Sequence, residues 1–107
     1  MDKQAANILK GMYLFKDLTP KELEKLTKIA RRTSYKAGDR IFCEGDDAHS
    51  MYIVEMGTLK LIKKGMEDNQ EVLRLGSGAH FGEMPFLDGM NRALTVEAVE
   101  PSSLIEI

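Results

Sequence analysis

The sequence predicts a mainly β domain with flanking N-terminal helices, and three observations lead to that fold class. The chain has 107 residues, which fits one domain with a single hydrophobic core. A helical pattern of apolar residues is confined to roughly the first third of the chain. From Thr33 onward, short apolar runs are separated by glycine-containing turns, a pattern typical of a sandwich, roll or barrel.

The helical signals are local and specific. Thr19, Pro20 and Glu22 place a hydroxyl at the N-cap, a proline at the first helical position and a carboxylate that can close a capping box. These residues predict a helix that runs to about Arg32, and its apolar positions at helical spacing are Leu23, Leu26, Ile29 and Ala30. A shorter helix is predicted over Lys3–Gly11.

Strand composition appears in six short segments, namely residues 40–43, 51–55, 58–63, 71–75, 94–99 and 103–107. Glycine-containing turns separate several of them. Residues 82–89 differ from these segments, because they are too apolar for a surface hairpin and contain Pro85, which a central strand does not accommodate. We therefore predict one helical turn inserted among the strands.

Composition excludes several classes of function. The formal net charge is -2 and the pI is about 5.7, so the chain has no basic field for non-specific nucleic-acid binding. Cys43 is the only cysteine, so no internal disulfide can form and a cytoplasmic setting is expected. The sequence has neither an apolar run of the roughly 20 residues that a membrane span needs nor a signal peptide.

One constellation of residues carries specific chemistry. Gly82 opens the predicted helical turn, whose exposed N–H groups suit an anion. Arg92 adds a guanidinium fork that matches phosphate oxygens, and we expect its charge to serve a ligand rather than the core. Glu83 would repel a phosphate but could accept a hydrogen bond from a sugar hydroxyl beside it. The three residues together predict a ribose-phosphate site.

Residues 81–96 resemble the phosphate-binding cassette of cyclic-nucleotide-binding domains, the type found in cAMP receptors and protein kinase A regulatory subunits. The family pattern is F-G-E, a short apolar helix, and then R-x-A/x-T-V. Residues 44–54 resemble a second family segment, E-G-D-x-G-D-x-M-Y, and Gly57 and Gly78 match its turn glycines. The similarity extends from about Leu14 to the end of the chain without a large gap.

The resemblance implies one domain over residues 1–107. An N-terminal helical segment, residues 1–32, would precede a jelly-roll-like β-roll, residues 33–107, of about eight short strands with a short cassette helix. The chain stops where the family's hinge and lid helices would follow, so we expect a sensor without its lid. In that case the apolar surface around Phe86, Leu87 and Leu104 would be exposed, and the chain would tend to form a homodimer.

The resemblance also assigns roles to individual residues. It implies that Glu83 binds the ribose 2′-hydroxyl and that Arg92 pairs with the cyclic phosphate. The residues whose backbone would complete the anion site are Gly82, Met84 and Ala93. Pro85 departs from the pattern, because proline has no N–H to donate to the phosphate at a position where the family has a donor. We therefore expect a lower affinity than the family norm.

The predicted contacts to the base are fewer. The resemblance implies that Leu73 lines the base and that Thr95 lies near the purine. Ala93 occupies a position where cGMP-preferring relatives usually carry threonine, whose hydroxyl can bond the guanine amino group. The sequence therefore favours cAMP over cGMP as the ligand.

The function implied is that of a regulatory sensor that binds a cyclic purine nucleotide and controls an attached or partner effector. No catalysis, cofactor, metal, nucleic acid or membrane is expected. The first alternative is a degenerate domain in which Pro85 has ended nucleotide binding and the roll serves protein–protein contacts. The second is a cupin-like metal enzyme, which would need about three histidines and a carboxylate, whereas His49 and His80 are the only histidines.

Overall fold

The computed structural model describes residues 3–47, 49–65, 68–82 and 91–107. The helices are α1 (Lys3–Lys10), a 3-10 helix (Tyr13–Phe15) and α2 (Pro20–Ile29). The strands are β1 (Arg31–Tyr35), β2 (Arg40–Phe42), β3 (Tyr52–Met56), β4 (Leu59–Lys63), β5 (Gln70–Leu75), β6 (His80–Phe81), β7 (Thr95–Ala98) and β8 (Ser102–Glu106). The predicted class, mainly β with N-terminal helices, is confirmed.

The strands form two antiparallel four-stranded sheets. Sheet A has the order β1-β8-β3-β6, and sheet B has the order β2-β7-β4-β5. Neighbours within each sheet are therefore mostly distant in sequence, as in a rolled sheet with crossing connections. This order brings the loop before β3, the end of β6 and the start of β7 into one region of the roll.

Two apolar clusters follow from the alternation of side chains along β3. The inner faces of the two sheets enclose the first cluster, which is made of Tyr52, Val54, Leu59, Phe81, Val96, Ala98 and Leu104. The opposite face of sheet A carries Ile53 and Ile105, which pack against Ala5 and Leu9 of α1. Successive residues of a strand point to opposite faces, so one strand contributes to both clusters.

The capping box at the start of α2 forms as predicted. Glu22 donates its N–H to the Thr19 hydroxyl (3.1 Å), and Thr19 donates its N–H to the Glu22 carboxylate (3.0 Å). The helix ends at Ile29 rather than at Arg32, because Ala30 is extended (φ -73°, ψ 143°). The sequence pattern placed the end of the helix too late, because apolar spacing alone contains no signal for this change of backbone conformation.

Strand β1 was not predicted, because its residues, RRTSY, show no apolar alternation. It becomes a strand through pairing with β8, from Arg31 opposite Glu106 to Tyr35 opposite Ser102. An ion pair reinforces this arrangement, in which the partly exposed Arg32 donates to both oxygens of the buried Glu55 carboxylate at 2.7 and 2.6 Å. The β-roll consequently begins two residues before the expected boundary at residue 33.

The remaining expectations have mixed outcomes. The six predicted strand segments correspond to β2, β3, β4, β5, β7 and β8, whereas the two-residue β6 was missed. Leu104 is fully buried in the inner cluster, so the expectation that it lies in an exposed apolar surface is wrong. Phe86, Leu87 and the predicted helical turn at 82–89 fall outside the described residues beyond Gly82. No helix in the described part of the chain is long and apolar enough to cross a membrane.

We predict that Thr19→Ala lowers the free energy of unfolding by about 1 kcal/mol, because it removes the side-chain half of the capping box. Thr27→Ala in the same helix is the matched control. The Thr27 hydroxyl donates only to the carbonyl of Glu24 one turn earlier, and alanine is the better helix former. Urea unfolding of both variants is the measurement, and equal losses would contradict the role of the cap.

Candidate functional site

The structure brings two of the sequence-predicted residues, Gly82 and Arg92, into direct contact. Arg92 precedes β7, and its guanidinium donates from Nη1 to the carbonyl of Gly82 (2.6 Å) and from Nη2 to the carbonyl of Ser50 (2.5 Å). Gly82 follows β6 with φ +88°, and a Cβ added there would lie 2.8 Å from Arg92 Nη1. Glycine is therefore required both by the backbone conformation and by the proximity of the guanidinium.

Aromatic rings complete the surroundings of the guanidinium. Its central carbon lies 4.2 Å from the centroid of the Phe42 ring and 6.0 Å from that of Tyr52. Tyr52 in turn stacks on Phe81 with a centroid distance of 5.2 Å. Such contacts stabilise a desolvated cation, by roughly 2 kcal/mol in favourable cases. Arg92 is only 4% exposed. The expectation that its charge serves no purpose in the core is therefore wrong, whereas its service to a ligand remains a prediction.

The buried guanidinium has unused binding capacity. Its Nε is buried and has no hydrogen-bond partner among the described residues. In the same part of the chain, no carboxylate forms an ion pair with it. Burial lowers the pKa of Arg92, yet an arginine remains protonated at neutral pH. A buried cation without a bonded counter-ion is costly, so this site favours an anion.

The turn at residues 44–47 holds the main chain of Arg92. Arg92 donates its N–H to the carbonyl of Asp46, and Gly45 donates its N–H to the carbonyl of Arg92, both at 2.8 Å. The Asp46 carboxylate closes the turn by accepting from the N–H of Cys43 (2.9 Å). The sequence identified this segment as a turn and as part of a family motif, and the structure shows in addition that it holds the main chain of Arg92.

A second polar group faces the same interior. The Tyr52 hydroxyl donates to Glu106 (3.2 Å), and the other oxygen of Glu106 accepts from Arg31 (3.0 Å). Burial, followed by the negative charge of Glu106, raises the pKa of Tyr52 to about 12. The phenol is therefore protonated and remains a hydrogen-bond donor throughout the physiological pH range.

Leu73 lies at the edge of the inner face of sheet B. It is directly opposite Leu61, which packs against the inner cluster, and opposite residues in neighbouring strands share a face. Nevertheless, Leu73 is 53% exposed. The inner face is thus left apolar and uncovered at this edge, in agreement with a lining role for Leu73, which remains a prediction.

Thr95 is not brought to this site. Its neighbour Val96 is buried in the inner cluster, so strand alternation places Thr95 on the outer face of sheet B. There its hydroxyl accepts a hydrogen bond from the N–H of Glu44 (2.9 Å). The expectation that Thr95 lies near a purine bound beside Arg92 therefore has no support from its position, because the pattern match did not consider which face it occupies.

Of the other predicted site residues, Ala93 is described by the structure and three are not. Ala93 is exposed, and its carbonyl accepts a long hydrogen bond of 3.4 Å from the Lys63 ammonium. Glu83, Met84 and Pro85 lie outside the described residues. Sequence reasoning missed Ser50, because it contributes only a carbonyl, which every residue type carries. It also missed Phe42 and Tyr52, whose apolar runs indicated core positions and gave no sign of the cation between them.

The sequence is similar to one family model and to several known proteins. The family model described as cyclic nucleotide-binding domain matches residues 32–107. The Cyclic AMP receptor protein of Thermus thermophilus is 33% identical over 100 residues, which are 92% of this chain and 46% of that protein. The cGMP-dependent protein kinase of Plasmodium berghei is 31% identical over 90 residues, which are 84% of this chain and 10% of that protein.

Among solved structures, the regulatory domain of Toxoplasma gondii PKA, crystallised with cAMP, superposes with a TM-score of 0.93 at 31% identity. The match covers 100% of this chain and 42% of that one. The chain therefore spans less than half the length of each of these three similar proteins.

We predict that Gly82→Ala destabilises the protein more than Gly78→Ala does. Both glycines have positive φ, so each substitution strains the backbone by roughly 1–2 kcal/mol. Only at Gly82 would the new methyl group also meet Arg92, whereas nothing lies within 4 Å of the corresponding position at Gly78. Arg92 cannot move aside without losing its bond to Ser50. Thermal unfolding compares the two variants, and equal shifts would show that the guanidinium adapts freely.

Proposed function

Because this chain belongs to the cyclic nucleotide-binding domain family, we propose that it is a sensor module that binds cAMP reversibly and catalyses no reaction. The observation that carries the proposal is the buried guanidinium of Arg92, whose Nε has no hydrogen-bond partner among the residues that the structure describes. A cyclic phosphate carries one negative charge and acceptor oxygens. It would supply both the counter-ion and the hydrogen bonds that the guanidinium lacks within the described residues.

The capacity of Arg92 is sufficient for this role. A guanidinium has five N–H donors in a fixed fork, and the contacts of the described residues use two of them. The remaining donors include Nε. The same residue can therefore hold the roll together through the carbonyls of Gly82 and Ser50 and bind a phosphate with the donors left over.

The rest of the nucleotide site is proposed from the family pattern. Glu83 accepts from the ribose 2′-hydroxyl, and the backbones of Gly82, Met84 and Ala93 face the phosphate. The base lies along the apolar edge that includes Leu73, whose exposed side chain is accessible to a ligand. Thr95 is omitted, because it lies on the opposite face of β7.

The choice of cAMP rests on Ala93 and on the names of similar proteins. One is a cyclic AMP receptor and another was crystallised with cAMP, whereas a third is a cGMP-dependent kinase. Alanine at residue 93 offers no hydroxyl for the guanine amino group, which favours cAMP. The proposed output is control of an attached or partner effector, which fits the greater length of the similar proteins. The proposed location is the cytoplasm.

The alternative is a degenerate module that keeps the roll for protein–protein contacts. Two observations favour it: the guanidinium of Arg92 already bonds two carbonyls, and Pro85 has no N–H to donate. Nucleotide binding itself distinguishes the two functions.

We predict that cAMP raises the thermal stability of the protein, whereas 5′-AMP, which lacks the cyclic phosphate, does so far less. At 100 times its dissociation constant, cAMP should add about 2.7 kcal/mol to the free energy of unfolding. Calorimetric titration provides the affinity directly. If cAMP does not bind but cGMP does, the choice of ligand is wrong, and if neither nucleotide binds or stabilises, the sensor function is contradicted in favour of the degenerate module.

We predict that Arg92→Lys weakens cAMP binding by at least tenfold and also lowers stability, because an ammonium cannot replace the fork that bonds two carbonyls and stacks on a ring. Phe42→Leu is the matched control. It removes the stacked ring but keeps the guanidinium, so it should lower stability while cAMP affinity is largely retained. Equal losses of affinity in both variants would assign the Arg92 effect to folding alone.

We predict that Ala93→Thr raises cGMP affinity relative to cAMP, because threonine supplies a hydroxyl for the guanine amino group. Ala93→Val is the matched control, since valine has the same shape without the hydroxyl. Residue 93 is exposed, so neither variant should disturb the fold. Competition between the two nucleotides measures the ratio, and an equal shift in both variants would exclude the hydroxyl as its cause.

A further inference from the structure

A cavity of about 270 Å³ lies on the outer face of sheet B. Its polar walls are formed by Arg40, Cys43, Glu44, Lys64, Asn69 and Thr95. Thr95 identifies the face, because its neighbour Val96 points into the roll. The inner and outer sites therefore lie on opposite sides of the same strand, β7.

Among the wall residues that the structure describes, Glu44 carries the only carboxylate, and its charge is already neutralised. One oxygen of Glu44 accepts from the Lys63 ammonium at 2.7 Å, and the other accepts from the N–H of Lys64 at 3.1 Å. The hydrogen bond from Lys63, followed by that from the backbone of Lys64, lowers the pKa of Glu44, so it is ionised and paired. Glu44 therefore positions two lysines without repelling an anion strongly.

The cationic side chains of the cavity, in contrast, make few short contacts with the described residues. Arg40 lies 3.8 Å from Glu97 and 4.0 Å from the Cys43 sulfur, both long contacts. Glu97 is closer to Lys60, at 3.1 Å. The Lys64 ammonium and the Asn69 amide make no hydrogen bond with any residue that the structure describes. The cavity thus offers a guanidinium, an ammonium and an amide with free donors.

We propose that this cavity binds a small oxyanion of the phosphate class, either free phosphate or a small phosphate monoester. Arg40 supplies a planar fork for two oxygens, Lys64 supplies a point charge, and Asn69 supplies a neutral donor. The volume is below the roughly 300 Å³ at which pockets begin to hold drug-sized ligands, which limits the occupant to a small anion.

The wall of the cavity is also the clamp on Arg92. Glu44 bonds Thr95, while the adjoining Gly45 and Asp46 bond the main chain of Arg92 on both sides. An anion that draws Arg40 and Lys64 together therefore acts on the segment that positions Arg92. This coupling rests on the proposed function, and it is reciprocal: each ligand changes the affinity of the other by the same factor.

The test of the site uses the whole chain, labelled with ¹⁵N, without any nucleotide. Inorganic phosphate is titrated at constant ionic strength while the amide signals of Lys64, Asn69 and Glu44 are followed. We expect saturable shifts at these residues. Arg40→Gln and Lys64→Gln should each weaken phosphate binding by about tenfold, as expected for one charge-assisted hydrogen bond. Both side chains are exposed, so the fold should persist.

Arg74→Gln is the matched control, because it removes the same charge from an exposed position on β5 that pairs with Glu71 outside the cavity. It should leave phosphate affinity nearly unchanged. Equal weakening in all three variants, or shifts centred on Arg92 that Lys64→Gln does not alter, would overturn the proposal. A parallel titration with glycerol 3-phosphate distinguishes the two sources, since the natural class should bind more tightly.

The coupling is measured separately, as the cAMP affinity with and without saturating phosphate. We expect a change with phosphate that Lys64→Gln abolishes. Saturable phosphate binding at Lys64 with an unaltered cAMP affinity would overturn the coupling and support the site. Phosphate binding at Lys64 in a chain that binds no cAMP would support the site and contradict the proposed nucleotide function.

Discussion

The burial of the Arg92 guanidinium organises the candidate site. It lies over Phe42 at the end of β2 and bonds the carbonyls of Ser50, before β3, and Gly82, after β6. Gly82 is far in sequence from the other two residues, and a desolvated cation requires each contact, because an unsatisfied buried charge costs several kcal/mol. The hydrogen bonds of this one side chain therefore constrain the backbone of the loops that contain Ser50 and Gly82. The remaining N–H donors of that side chain are what a ligand can use.

Arg92 bonds the carbonyls of the roll and is also the proposed phosphate ligand, so its loss would affect both stability and binding. A residue that serves only a ligand can be lost without harm to the fold, whereas Arg92 cannot. A domain that no longer binds nucleotide would still keep this arginine for stability. The presence of the arginine is therefore weaker evidence of binding than the family pattern suggests. Stronger evidence is its Nε, which has no hydrogen-bond partner in the described part of the chain.

Strand β7 connects the two faces of sheet B. Its inner residues, Val96 and Ala98, fill the core, while Thr95 and Glu97 face outward among basic side chains. The turn at residues 44–47 wraps around the start of this strand and bonds both Thr95 and Arg92. The outer face and the Arg92 site are thus connected through the hydrogen bonds of residues 44–46.

The sequence by itself determined the features that depend on near neighbours. The capping box at Thr19, six of the eight strands and the placement of Gly82 and Arg92 in one site follow from local hydrogen bonding, side-chain period and motif spacing. Only the tertiary structure decided that RRTSY becomes strand β1, that Thr95 faces outward and that Arg92 is buried. Each of these depends on partners distant in the chain, and the free energy of such contacts leaves no periodic trace in the residues that make them.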